Sequence, residues 1–353
     1  MAKRVKVTRF VCPACGGTLV AVPKALRCTQ CGYEKSRVVE PIEPNPRPLE
    51  EKEACTELKL FECPSCGAVS QSDSVSLLCP YCSTPLVGEF FNPLPPFGVG
   101  TIWVDPKKVA GLLKAHIRSL WFAPNAFIKG YQKAKSPKAF YYPIWSFNAY
   151  VRIYYDGWRG VRHSRIVYVN NQPQTRTTME WEPVSGVVEL MIEDIQQLGY
   201  PPIDSSMERL HWNARRLEVV HKEALSGWES KEYHYSPLEA RRAAQPKFDA
   251  KMEWAIRRDI GGDAQRIDRY KSEYLSQEFV YFLAPFYHIQ IHWRKRHYDF
   301  FIDAQSGTVV GERPYSWIKI ALFILLVLGG VAALYFLDQW MQTHHHISLW
   351  NLL

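Results

Sequence analysis

Hydrophobic positions recur with three different periods along this chain, and each period predicts a different kind of element. Val109, Leu112, Leu113, Ile117 and Leu120 fall near helical spacing, so Asp105 to Leu120 reads as an amphipathic helix. From Phe140 to Trp158 the pattern turns aromatic and strand-like, with Pro143 at its start and Asp156-Gly157 as a candidate hairpin turn. Ser236-Pro237-Leu238-Glu239 forms a capping box with proline at the first helical position. A helix is expected from there towards Arg258, ended by Gly261-Gly262. Glu278 to Tyr287 then leads into the alternation His288, Ile289, Gln290, Ile291, His292, Trp293. Residues 297–303 and 308–312 read as paired strands around Ala304-Gln305-Ser306-Gly307.

The third pattern has no polar phase. Ile320 to Leu337 runs for 18 residues without a charge, and Trp317, Ile318, Trp340 and Met341 extend it to the ~20 residues that a bilayer span needs. Tyr315, Trp317 and Trp340 stand where interfacial aromatics belong. Arg313 and Lys319 precede the stretch, and no Lys or Arg follows it. The positive-inside rule then puts the N-terminal bulk in the cytoplasm and residues 341–353 outside, as a single-pass protein of the inner (plasma) membrane. Gly329 and Ala333 make a small-xxx-small pair, a candidate face for homo-oligomer packing. His344, His345 and His346 in the tail read as an exposed polar tract.

Cysteine supplies the chemistry. Cys12, Cys15, Cys28 and Cys31 read C-x2-C-x12-C-x2-C, and Cys63, Cys66, Cys79 and Cys82 repeat that spacing 51 residues later. Each CxxC turn puts two thiolates on a rubredoxin-like knuckle, and two knuckles complete a tetrahedral S4 site of the kind zinc prefers when it needs no open position. Pro13 and Pro64 stiffen the first turns, while Gly16, Gly32 and Gly67 permit the tight backbone that follows. No apolar segment follows Lys3, Arg4, Lys6 and Arg9, so no secretory leader is expected. Paired CxxC motifs in a reducing compartment favour metal over disulfides. Two structural zinc ions are expected, with iron as the alternative ion, and Cys55 is read as a free thiol.

These signals divide the chain into zinc ribbon 1 (1–37), an acidic proline-rich linker (38–60), zinc ribbon 2 (61–88), a cytoplasmic α+β domain (89–313), a transmembrane helix (317–340) and a short tail. Proline and glutamate across 38–60 favour an extended, solvated spacer. Tyr142-Pro143-Ile144-Trp145 and Ala284-Pro285-Phe286-Tyr287 echo one another, which suggests that the α+β domain is built of duplicated halves.

Catalytic motifs are missing. The sequence contains no Walker A loop, GxSxG elbow, HExxH pair or GxGxxG turn. His288, His292 and His297 read as ordinary histidines, Asp299 and Asp303 as turn and strand-end residues, and Glu193 and Asp194 as a solvated edge. Residues 1–90 carry 11 Lys and Arg against 10 Asp and Glu, whereas residues 91–319 carry 32 against 24. The basic surplus sits next to the apolar segment, where it can face an anionic lipid surface.

The order of ribbon, proline-rich entry, Pro143-Ile144-Trp145 strand and closing Gly307-Thr308-Val309-Val310-Gly311-Glu312-Arg313-Pro314-Tyr315-Ser316 before a membrane span resembles a bacterial family of membrane-anchored zinc-ribbon proteins. Its members are often labelled primosomal-protein-N′-like or replication-restart-helicase-like. The resemblance covers most of residues 61–340, with the G-E-R-P-Y-S stretch as its most specific part. Members show one ribbon before the aromatic domain, so the block at Cys12–Cys31 is additional here. The family's association with phage-shock-protein-A-type and SPFH (flotillin-like) membrane proteins implies a non-enzymatic membrane adaptor in envelope stress. The alternative expectation is a membrane-tethered nucleic-acid-binding protein that reads DNA or RNA with its ribbons.

Overall fold

The computed structural model describes residues 3–49, 58–130, 136–169 and 172–345. Cys55, His346 and the rest of the tail lie outside the described residues.

A mixed α/β body dominated by sheet holds everything else. Its frame is three very long antiparallel strands, Lys138–Val169, Gln172–Leu198 and Ala264–Trp293, with the first in the middle. The central strand has 32 residues and spans on the order of 100 Å at ~3.3 Å per residue. Asp156-Gly157 is therefore not a hairpin turn. The strand continues through it, with a register shift against the Ala264–Trp293 strand between these two residues. Glycine is needed there because a Cβ would come within 2.4 Å of the Arg266 carbonyl oxygen. The local Asp-Gly signal marks a bulge of close backbone approach.

Burial along the central strand explains its aromatic composition. Near its base both faces are covered: Tyr141, Trp145 and Phe147 enter the main core, while Phe140, Tyr142 and Ile144 enter a second core on the opposite face. Further out, only the odd-numbered face remains covered, through Ala149, Val151, Ile153 and Tyr155. Helix α4 (Gln245–Ile260) lies on that face with Phe248, Met252, Ile256 and Ile260. Beyond residue 160 the third strand ends, and Val161–Val169 and Gln172–Glu180 continue as a two-stranded arm.

Helix α1 (Pro106–Ser119) starts at Asp105, whose carboxylate accepts from the Lys107 N–H, and buries Val109, Leu113 and Ile117 as the spacing predicts. Helix α2 (Asn125–Gly130) follows. The single helix expected from Ser236 is two, α3 (Pro237–Ala243) and α4. Pro246 lacks the N–H that would continue the first helix, so a new helix begins around it. Both long hairpins follow a helix pair, and Pro285 and Pro143 lie on neighbouring strands in the registers Tyr141↔Pro285 and Pro143↔Leu283.

The linker is partly structured. Pro41–Ile42 pairs with Leu217–Glu218, and Arg47–Pro48 pairs with the Ala264–Trp293 strand. Residues 38–49 are thus bound to the body rather than forming a free spacer, since an edge position tolerates proline's missing donor.

Candidate metal centres

Both cysteine blocks fold as hairpins with a knuckle at each end. In every knuckle the residue after the second cysteine, or its counterpart, has a left-handed backbone: Gly16, Gly32, Gly67 and Ser83, with φ of 71°, 74°, 73° and 57°. The N–H of each donates back to the carbonyl of the knuckle's first cysteine, at 2.8–3.2 Å. This closes the turn and aims both sulfurs inward. All eight thiols are free.

In block one the Sγ atoms of Cys12 and Cys31 are 3.7 Å apart, and those of Cys15 and Cys28 are 3.5 Å apart. In block two the pairs Cys63–Cys82 and Cys66–Cys79 are separated by 3.6 and 3.8 Å. A tetrahedral S4 site with ~2.3 Å zinc–sulfur bonds requires sulfur–sulfur edges of ~3.8 Å. The residues therefore fit a dication such as zinc, and within each group all four sulfurs lie within 4.8 Å of one another. Cys12, Cys28, Cys63 and Cys79 are buried, while Cys15, Cys31, Cys66 and Cys82 face solvent.

Proton affinities within each cluster diverge. Cys28 is held down to about 6 by N–H groups of its own knuckle, Cys31 and Gln30. Cys82 is also held down to about 6, by the Thr84 hydroxyl and N–H. Cys15 and Cys66 are pushed up to about 12: amide donation from Gly17 and Ala68 is outweighed by hydrogen bonding to the other thiols and by desolvation. Four adjacent thiolates repel one another, so full deprotonation needs a cation at the centre.

The ribbons are built into the body. Strand Ser74–Leu78 of the second block pairs with Glu229–Lys231 and so joins the main sheet, where Ser76 Oγ donates to the Trp228 carbonyl at 2.7 Å. Lys59 Nζ meets Glu232 Oε2 at 2.5 Å in the interior, and Glu232 Oε1 accepts from the N–H groups of Phe91 and Asn92. The first block is held by Trp228 Nε1 donating to the Ala21 carbonyl, by Arg27 on Asp105, and by Arg37 on Glu218. None of these anchors was read from the sequence, because a charged residue in a proline-rich stretch gives no local sign that it will be buried.

The remaining candidates form no common site. His288 pairs with Asp299 at 2.7 Å, whereas His292 faces His297 across the hairpin. Asp303 is buried and accepts from the Gln305 and Ser306 N–H groups, so it organises the turn. Asp194 departs most from its expected role as a solvated edge. It has a φ of 53° beside a bulge, and its carboxylate binds Ser146, Gln196 and His211 at the margin of a cavity of about 740 Å³. The serine hydroxyl donates to the carboxylate and not to the imidazole, so these three residues do not form a nucleophile–base relay. The bulge between Phe147 and Ala149 that gathers them has no signature in the sequence.

Helix α5 (Trp317–His345) contains a 24-residue segment, Trp317–Trp340, long and apolar enough to cross a membrane, and its most apolar stretch is not buried against the body. Its start is fixed to the body: the Ser316 N–H donates to the Phe122 carbonyl, and Lys319 Nζ to the carbonyls of Trp121 and Ala123. The described residues thus make a sheet-rich α/β protein with two tetracysteine clusters and one exposed apolar helix. Comparison with protein-family models, curated proteins and solved structures finds no match to this chain.

Proposed function

We propose that this protein is a membrane-anchored adaptor in which two zinc ions stabilise the body and the long arm presents the partner-docking surface. The observation that carries this reading is the arm's composition. Opposed residues on paired strands share a face, so Met179 and Trp181 nearer the body and Ile166 and Tyr168 nearer the tip lie on one face of the ribbon, each between 37% and 75% exposed, as two apolar patches separated by the Ser164–Thr177 rung. Exposed apolar patches gathered on one face of an arm are a common mark of a protein-interaction surface.

Helix α5 would cross the inner membrane with the body in the cytoplasm, in keeping with Arg313 and Lys319 at its start. The ribbons, being knitted into the sheet, would act as structural supports for the body. The family resemblance makes phage-shock-protein-A-type and SPFH-type membrane proteins the partners to test first, in envelope stress.

Cross-linking of the full chain in membranes, followed by mass spectrometry, should recover such a partner through the arm. Ile166→Asp combined with Tyr168→Asp should abolish recovery while two zinc ions per chain are retained. Replication proteins recovered without any envelope-stress protein would overturn the adaptor reading.

One observation favours the nucleic-acid alternative. Arg165 lies directly opposite Arg176, while the other cations of that face are engaged, His163 by Glu180 and Arg159 by the Ile260 carbonyl. Like charges in register are destabilising unless an anion covers them. Salt-dependent DNA or RNA binding that disappears in Arg165→Gln/Arg176→Gln would support that alternative.

A further inference from the structure

At the foot of α5 lies a cavity of about 710 Å³ between the end of α1, the turn Ser205–Arg209 and the segment Val309–Tyr315. Arg209, Arg313, His116 and Ser206 line it, with Glu312 as its one carboxylate and Tyr315 at its side. Neither guanidinium forms a salt bridge among the described residues. Arg209 is pinned in place by donating Nη2 to the Gly311 carbonyl at 2.9 Å, and Arg313 sits over the Tyr315 ring at 5.2 Å. Burial lowers the pKa of His116, and the charges of Arg313 and Arg209 lower it further. With two guanidinium groups against one carboxylate, the cavity carries a net positive charge.

Ser206 supplies the second, independent observation. It is 3% exposed, and its Oγ has no hydrogen-bond partner. A buried hydroxyl is ordinarily satisfied, so an orphan in the lining shared with two guanidinium groups that have no ion-pair partner points to an absent acceptor.

We infer that this cavity binds the phosphate group of an anionic ligand. Two guanidinium forks from different walls, a hydroxyl donor and an imidazole can share the several acceptor oxygens of a tetrahedral phosphate, whereas a planar carboxylate would leave donors idle. The phosphate belongs either to a phospholipid headgroup or to a soluble phosphate ester. The cavity alone carries the phosphate chemistry; the lipid source rests additionally on α5 lying in a bilayer, which would put Tyr315 and Trp317 at headgroup level.

The test uses the full chain in two arms. In a neutral detergent, glycerol 3-phosphate is titrated calorimetrically. In nanodiscs of phosphatidylcholine with or without phosphatidylglycerol, retained lipid is counted by native mass spectrometry. Saturable binding of glycerol 3-phosphate, or retention of one phosphatidylglycerol per chain over phosphatidylcholine, is expected, and the positive arm identifies the source. Arg209→Gln/Arg313→Gln should weaken that binding more than about tenfold, and Ser206→Ala by about fivefold to tenfold without lowering stability, because its hydroxyl has no internal partner to lose. Lys114→Gln/Arg118→Gln, on the same helix but outside the cavity, should bind normally. Failure of both arms overturns the site, as does unchanged affinity in the cavity variants or an equal loss in the Lys114/Arg118 control. The detergent arm needs no bilayer, so a failure of the membrane reading is separable from a failure of the phosphate site.

Discussion

Arg37 and Glu218 form a two-pronged ion pair in the interior, with Nη1 2.7 Å from Oε2 and Nη2 2.8 Å from Oε1, and with side chains only 1% and 0% exposed. The pair joins the end of the first ribbon to the strand Leu217–Glu218, next to the linker residue Pro41. Burial works against the Arg37 charge, but hydrogen bonding to Glu218 more than compensates, so its pKa is raised. Removing one partner leaves the other charged and dry. Arg37→Ala or Glu218→Ala should each destabilise the protein by about 3–5 kcal/mol, whereas Arg37→Met with Glu218→Leu should cost little or even stabilise. Thermal melts of the detergent-solubilised variants check this. A double variant as unstable as either single one would show that the pair itself, and not its desolvation, matters.

The Arg27–Asp105 contact predicts a pH dependence. The Arg27 guanidinium holds the Asp105 carboxyl below its ordinary value of 3.8, with help from the Lys107 N–H, and the contact is 2.6 Å long. A carboxylate with a depressed folded pKa stabilises the fold at every pH above 3.8 and loses that contribution as pH falls through the folded value. Wild type should therefore lose about 1–2 kcal/mol between roughly pH 4 and pH 2 that Asp105→Asn does not lose, because asparagine keeps the helix cap but carries no charge. The difference between their pH–stability curves, with metal content followed in both proteins, is the measurement. Parallel curves would remove the linkage.

Much of this organisation was legible in the sequence, and the limits have physical causes. The cysteine spacing gave the two clusters, since ligand spacing in a knuckle is set by a few covalent bonds. The cap at Asp105, the capping box at Ser236 and the apolar run from Ile320 are equally local. What escaped depends on pairing between residues 17 to 173 positions apart. Gly157 looks like a turn until Arg266 is brought against it, and Lys59 looks like a linker charge until Glu232 closes over it. Asp194 looks like surface until a bulge gathers Ser146 and His211 around it.

The fourth knuckle offers a reciprocal pair of substitutions. Ser83 occupies, at φ 57°, the left-handed position that glycine holds in the other three knuckles. Ser83→Gly should relieve strain and Gly67→Ala should create it, each by about 1 kcal/mol and in opposite directions. No atom lies within 4 Å of a Cβ placed on Gly67, so the cost there is conformational and not steric. Competition with a chromophoric chelator should show metal held up to about fivefold tighter in Ser83→Gly and about fivefold weaker in Gly67→Ala. Equal affinities would place the strain elsewhere.

Metal removal should weaken the whole body and not merely the ribbons. Strand Ser74–Leu78 lies between Pro85–Val87 and Glu229–Lys231 in the main sheet, and the last of these borders the central long strand. Trp228 reaches both blocks, through its indole N–H to Ala21 and its carbonyl from Ser76, while its ring packs 5.0 Å from Tyr141 in the main core. A ribbon that melts therefore strips hydrogen bonds from the sheet edge and loosens an aromatic core residue in the same event. Chelation is expected to lower the tryptophan-monitored melting temperature in a single cooperative transition, and Cys28→Ser, which should lose one ion of two, to give an intermediate value. Two separate transitions, with the tryptophan-monitored one unmoved by chelator, would mean that the ribbons unfold on their own and that the buried contacts at Glu218 and Glu232 transmit nothing.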